Sequence, residues 1–179
     1  MAYSIEPAYT VQNELTRQIL KAGTLKDNKW FFTDGAFTAE TQLERNANTW
    51  LHENFVVIKN RRIIAYFEAT WNRPLDIISG FRLLLIEKSN SFESTKALFD
   101  YFDYLFIQRG CNAFNWFVAE KNIHAFVLYE KFIKKYFGHR VGKRHHGQKA
   151  YDGEISDIIL YEITREEYLN WKNPSLKES

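Results

Sequence analysis

The chain has 179 residues, with 24 Lys+Arg against 22 Asp+Glu, 45% hydrophobic and 17% aromatic residues, three Pro and one Cys. A chain of that length buries a core without metals or disulfides, and the lone Cys111 excludes an internal disulfide framework and fits a reducing compartment. The aromatic content excludes disorder, and with no leader-like start and no apolar run near the ~18 residues of a spanning helix, the expectation is a soluble, cytoplasmic protein without a membrane partner.

Taken in chain order, Tyr3–Ala8 reads as a short strand ended by Pro7. Thr10 then caps a helix through Leu15 and Ile19 to Gly23. A second, more polar helix is expected over Thr38–Leu51. The period then changes to that of strands: Asn54–Lys59, Arg62–Trp71 and Leu75–Glu87 are rich in Val, Ile, Leu and Phe. Asn60-Arg61 makes a tight hairpin between the first two, and Asn72-Arg73-Pro74 breaks the second from the third. Ser91–Arg109 carries a helical apolar stripe closed by Gly110, and Ala113–Ala119 is a short strand. Asn122–Phe137 is again helical, with apolar residues on more than one face, which predicts a largely buried helix. His139–His146 and Ile155–Thr164 are strands, followed by a helix over Glu166–Trp171.

A strand, a helix and a strand over residues 75–119 make a parallel crossover inside an otherwise antiparallel sheet. The fold class is α/β (α+β), a single domain over residues 1–172 with a polar tail over 173–179. Charge is uneven along it. Residues 131–149 hold seven Lys/Arg (Lys131, Lys134, Lys135, Arg140, Lys143, Arg144, Lys149) and no acid, which leaves the rest of the chain net acidic. Such a strip is either a solvated face or a seat for an anion.

The order of elements resembles the GNAT superfamily of acyl-CoA N-acyltransferases over roughly residues 3–170. The most specific stretch is Phe117-Val118-Ala119-Glu120-Lys121-Asn122, then Ala125, then Leu128-Tyr129-Glu130-Lys131-Phe132. Downstream, Tyr151-Asp152-Gly153 and Asp157 before Ile158-Ile159-Leu160 are similar to that family's final hairpin. The resemblance implies acetyl-CoA as co-substrate and a primary amine as acceptor; His139, His145 and His146 lack the i, i+4 spacing and companion Cys or Asp of a zinc site, so no metal is expected. The resemblance also implies that two strands splay apart to receive the pantetheine arm as an added strand, with the pyrophosphate on backbone donors at the following helix N-terminus. Here those elements are Leu75–Glu87, Ala113–Ala119 and the helix start at Ser91, with acceptor specificity expected from the Gly23–Thr38 and Gly147–Glu154 segments.

The phosphate loop departs from the family's glycine-bearing pattern. It reads Lys88-Ser89-Asn90-Ser91-Phe92-Glu93, so Lys88, Ser89, Asn90 and Ser91 are the candidate cofactor contacts, together with Asn122 for the pantetheine or as a helix cap. Glu93 brings a negative charge toward the phosphates, and with Asn90 it reads as a capping box.

Tyr129 matches the family's proton donor to the leaving thiolate, and the alternative is a core Tyr with its hydroxyl bonded internally. Glu68 and Glu87 are the candidate general bases, Glu68 being flanked by apolar neighbours that favour a raised pKa. At most one of His145 and His146 is expected to point inward, and Cys111 reads as a buried structural thiol. Two other functions compete: a catalytically inactive GNAT-fold binding module of the type seen in bacteriophages, and a nucleic-acid-binding domain using the basic strip with Tyr136, Phe137 and Tyr151.

Overall fold

The structure, a computed structural model, describes residues 3–11, 13–14, 17–18, 29–30, 52–86, 91–150 and 152–173. The helix expected over Thr38–Leu51 lies outside these residues. Of the helix expected after Thr10, only 13–14 and 17–18 are described, as helical, while Thr10 itself sits in a 3₁₀ turn over Ala8–Val11.

Strands β1 (Tyr3–Pro7), β2 (His52–Lys59), β3 (Arg62–Asn72) and β4 (Ile77–Leu85) form an antiparallel meander. The β2–β3 hairpin turns at Asn60-Arg61, both at positive φ, the left-handed pair that matches the twist of the flanking strands. Helix α1 (Ser91–Asp103) crosses back so that β5 (Ala113–Ala119) lies parallel to β4. Helix α2 (Ile123–Lys135) is followed by β6 (His139–Lys149), β7 (Ile155–Thr164) and α3 (Arg165–Lys172). The seven-stranded sheet has the order β1-β2-β3-β4-β5-β7-β6, with one parallel pair, β4–β5.

The pleat divides the apolar residues between two faces. On one face Ala65, Phe67, Trp71, Phe81, Phe114, Trp116 and Tyr161 meet Ala97, Tyr101, Phe102 and Leu105 of α1 and Tyr168 of α3 in the main core. Phe102 is its pivot, 5.1 Å from Phe114 and 5.6 Å from Phe137, both edge-on as ring quadrupoles prefer. The opposite face holds a smaller cluster of Ala8, Val56, Ile63, Tyr66 and Leu84. With cores on both sides β3 is buried along nearly its whole length, which explains its almost unbroken apolar run.

Four expectations change. The helix over Ser91–Arg109 is α-helical only to Asp103 and then widens into a π turn, Tyr104–Gln108, where Arg165 Nε donates to the Phe106 carbonyl at 2.9 Å. Leu75 belongs to a 3₁₀ turn, because the Pro74 ring keeps this stretch out of the strand and Asp76 then takes a left-handed turn. β6 runs on to Lys149, since its pairing with β7 resumes at Gln148–Ser156 past a bulge. α2 is not largely buried: it has no fully buried residue, and Ile123, Val127 and Leu128 are 60%, 40% and 54% exposed. Its apolar residues are split between Phe126, Tyr129, Phe132 and Ile133 packed on the core and a second flank left toward solvent and the cleft described below.

Candidate functional site

β4 and β5 pair only from Ile77–Ala113 to Phe81–Trp116. Beyond that, β4 still pairs with β3 as far as Leu85–Ala65, and β5 with β7 as far as Ala119–Ile158, so the two neighbours stay in the sheet while their shared edge opens. Gly80 starts the divergence. It sits at φ +66° where the register of β4 slips against both partners, a bulge conformation that a side chain resists. Along Leu83–Leu85 and Phe117–Ala119 the β4 and β5 edges therefore border a cleft of about 520 Å³ rather than each other, and the Ala119 carbonyl accepts from the Asn122 N–H at 2.9 Å.

The cleft passes through the sheet. On the helix side it is lined by Phe81, Leu83, Val118 and, from α2, Asn122, Ala125, Leu128 and Tyr129. The far side carries Arg82, Leu84, Trp30 and Gln148. Two of the segments expected to shape specificity meet here. Gln148 Nε2 donates to the Trp30 carbonyl at 2.6 Å. Lys29 bonds Asp152 at 2.9 Å and also Glu154, whose other oxygen takes Lys121 at 2.9 Å.

Tyr129 is half-buried on the cleft wall, its ring 5.9 Å from Trp116 and 6.0 Å from Tyr161. Tyr161 spends its hydroxyl on Glu130 at 2.7 Å, whereas no hydrogen bond ties the Tyr129 hydroxyl among the described residues. Burial alone pushes the Tyr129 phenol up to about 12. Asn122 does cap α2, its Oδ1 accepting from the Ala125 N–H at 3.4 Å, a long bond, and its side chain also lines the cleft.

Glu68 is 7% exposed and does not line the cleft. It lies directly across from Arg82, which approaches its carboxylate at 3.4 Å, while Tyr66 donates to it at 3.2 Å. Burial and that neighbouring carboxylate push the Tyr66 phenol well above its usual value. Glu87, Lys88, Ser89 and Asn90 lie outside the described residues. Ser91 opens α1 with its carbonyl taken by Thr95 Oγ1 at 2.8 Å. Glu93 is not an isolated negative charge: Lys59 of β2 pairs with it, and this pair together with its own N–H holds its carboxyl below the usual range.

His145 and His146 both face solvent, within the expectation that at most one points inward, His145 bonded to Asp157 at 3.1 Å and His146 in the left-handed region with its N–H donating to Asp157 at 3.0 Å. Alternation fails there because β6 bulges between Arg144 and Gln148. Cys111 is buried, its thiol pushed up by burial and in contact with the Asp76 and Ala113 carbonyls. Among the described residues no group of three His, Cys, Asp or Glu could hold a metal ion, and no helix is long and apolar enough to cross a membrane.

Residue-by-residue reading missed Arg82, Trp30 and Gln148. Arg82 had a usable signal: it is the one charge inside Ile77–Leu85, an otherwise apolar strand with small residues at Ser79 and Gly80.

No protein-family model and no curated protein matches the chain. Solved structures do. A spermidine N-acetyltransferase from Vibrio cholerae, determined with CoA and spermine, aligns over 94% of this chain and 98% of its own with 16% identity and a TM-score of 0.73. A structure described as a putative acetyltransferase aligns over 98% and 93% with 13% identity and a TM-score of 0.74. The ribosomal-protein-S18-alanine N-acetyltransferase from Escherichia coli aligns over 91% and 94% with 17% identity and a TM-score of 0.62. With the splayed β4–β5 pair at its centre, this chain has the GNAT acetyltransferase fold.

Proposed function

We propose that the protein is an acyl-CoA-dependent N-acyltransferase that moves an acyl group, in the first instance acetyl, to a primary amine. The observation that carries this reading is the divergence of β4 and β5, which leaves strand backbone unpaired beside a tyrosine hydroxyl with no bond among the described residues. Unpaired strand edges suit an extended amide-bearing arm, because each N–H and C=O otherwise loses its partner. Leu83–Leu85 and Phe117–Ala119 would hold that arm, with Asn122 at one end and Lys88, Ser89, Asn90 and Ser91 toward the phosphates. The co-substrate supplies an activated thioester and leaves as a thiol.

Tyr129 gives its hydroxyl proton to the departing sulfur as the nitrogen–carbon bond forms and the carbon–sulfur bond breaks. It regains a proton from the solvent pool that receives the one lost by the amine. No carboxylate is among the described lining residues, so Glu68 could serve as base only through water past Arg82, and Glu87 is the other candidate. The apolar walls, Leu83, Leu84, Leu85 and Val118, exclude bulk water from the reacting carbonyl.

A second reading, an inactive GNAT-fold binding module, draws on one observation. Glu93 already engages its own N–H in the first turn of α1, where a phosphate would compete for the same donors. One experiment decides between the two. Acetyl-CoA at about 100 times its dissociation constant stabilises a binder by roughly 2.7 kcal/mol, a clear rise in melting temperature. Absence of any shift with millimolar acetyl-CoA, CoA or longer acyl-CoA would leave the module.

A further inference from the structure

A second concavity lies on the flank of α2 turned away from the cleft. Phe126, Val127 and Ile133 floor a groove of about 450 Å³ that closes against the start of β6, and it shares no lining residue with the cleft. Its rim is basic. Lys131 and Lys134 of α2 and Arg140 of β6 are exposed and form no ion pair among the described residues. The acid in the described lining, Glu130, already accepts the Tyr161 hydroxyl at 2.7 Å, and His139 is bonded to Glu167 at 2.8 Å.

The groove opens beside a free strand edge. β6 ends the sheet: one edge pairs with β7, and among the described residues nothing pairs with the other. Arg140 lies across from Tyr161 and Lys143 across from Ile159, both in the main core, so Arg140 and Lys143 stand on the helix side of the sheet, the side of the groove. From His139 to Arg144 the edge spans roughly 20 Å. Cations and bulges on an edge strand serve by themselves to keep like edges apart. That role calls for neither the apolar floor nor Lys131 and Lys134 on the helix beside it.

We propose that this edge and groove form a docking site for an extended acidic segment of a partner protein, added alongside β6 as a further strand. An apolar side chain of the segment sits over Phe126, Val127 and Ile133, and acids two residues to either side of it meet Lys131, Lys134 and Arg140. Strand addition gives the β6 edge its missing partners, and charge complementarity sets the sign of the segment. Nucleic acid would meet the cations but leave the floor and the edge unmatched, and Tyr136 and Phe137 are packed on the main core rather than free to stack. The site is separate from the acyltransferase reading and does not depend on it.

The test is fluorescence anisotropy of the full chain with the labelled nonapeptide Glu-Ser-Glu-Ser-Phe-Ser-Glu-Ser-Glu, at about 0.15 M salt. In an extended peptide the period of two puts Phe and every Glu on one face. Binding should saturate, and Ala in place of the central Phe should weaken it about 3-fold or more. Of the two alternate sets of peptide backbone nitrogens, methylating one should cost about 10-fold or more and methylating the other little, because an added strand turns one set toward its partner. Lys131→Glu with Lys134→Glu should lose about 10-fold or more, and Val127→Lys should weaken binding although it adds a cation. Both variants alter exposed α2 positions away from the cleft and should keep the wild-type melting temperature and response to acetyl-CoA. The peptide series on the wild type stands even where a variant does not fold. The inference is overturned by no saturation up to millimolar peptide, by equal effects of the two methylated sets, by tighter binding to Val127→Lys, or by a dT nonamer that binds more tightly than the peptide. A wild-type dimer that the double variant dissolves also overturns it and gives the edge to a second copy.

Discussion

Tyr129 shows how one hydroxyl can be assigned by what it does not touch. Tyr66, Tyr101, Tyr161 and Tyr168 each give their hydroxyl to a carboxylate, respectively Glu68, Glu53, Glu130 and Asp103. Tyr129 has no such partner among the described residues and faces the cleft instead. Tyr129→Phe should therefore leave the melting temperature and acetyl-CoA affinity nearly unchanged while turnover falls about 10²-fold. A bonded core hydroxyl would give the opposite pattern, about 1 kcal/mol of lost stability with turnover intact. The direction of the pKa sharpens the expectation. Burial raises the phenol to about 12, so the donor stays protonated across the working range and the pH–rate profile should show no alkaline loss from Tyr129 until pH approaches 12. The same shift favours the folded state below the unfolded phenol's value near 10, an advantage that disappears as pH rises from there through about 12. A profile of kcat in the wild type and of melting temperature in both proteins separates these effects.

At the scale of elements, the cleft depends on a strand that leaves its neighbour. β3, β4 and β5 were legible because apolar runs bounded by Asn60-Arg61, by Pro74 and by Gly110 allow few other readings. The parallel crossover was legible for the same reason, since a helix separates β4 from β5. The point at which the two strands part was not, because it depends on backbone pairing across residues 77–119 and on a bulge that one glycine at φ +66° permits. The Lys59–Glu93 pair was equally hidden: β2 and α1 are far apart in the chain, and only the fold brings them together. Gly80→Val tests the bulge. A built Cβ meets nothing closer than Thr70 Oγ1 at 3.5 Å, so space is available and the cost lies in the backbone. A β-branched residue resists that φ and favours regular pairing, so the variant should lose roughly 1 kcal/mol or more of stability. If the strand re-pairs, Leu83–Leu85 lose their open edge, and acetyl-CoA affinity should fall by more than the stability change accounts for. Calorimetric binding at a temperature where the variant is fully folded reads the second effect alone.

Across the whole molecule, the basic strip resolves into parts with different fates. Lys143 is bound to Glu120 and Asp157, Lys135 lies 4.9 Å from the Tyr136 ring, and the remaining cations of residues 131–149 are exposed along α2 and β6. Tyr136 and Phe137, two of the three stacking groups expected for nucleic acid, pack instead with Phe99, Phe132 and Trp171, and the third, Tyr151, lies outside the described residues.

The charges that tie distant parts of the chain together are acidic. Asp152 and Glu154, between β6 and β7, hold Lys29, and Lys29 carries Trp30 to the cleft beside Gln148. The hydrogen bonds from Lys29 do most to keep both carboxyls below their usual range. A carboxyl with a depressed folded pKa contributes stability above its unfolded value, about 4, and the contribution is lost as pH falls through the folded value. Melting temperature should therefore hold level above about pH 5 and drop below about pH 4. Lys29→Met should remove part of that drop, because its two carboxylates then titrate more nearly alike in the folded and unfolded chain. At neutral pH the same variant should raise the KM for the acceptor and leave acetyl-CoA affinity alone, since the contact it breaks lies on the far wall of the cleft from Tyr129. An acid profile in Lys29→Met identical to the wild type would show that the clamp contributes nothing to the fold. Equal losses in acceptor and acetyl-CoA binding would show that Trp30 shapes the cleft as a whole rather than its acceptor side.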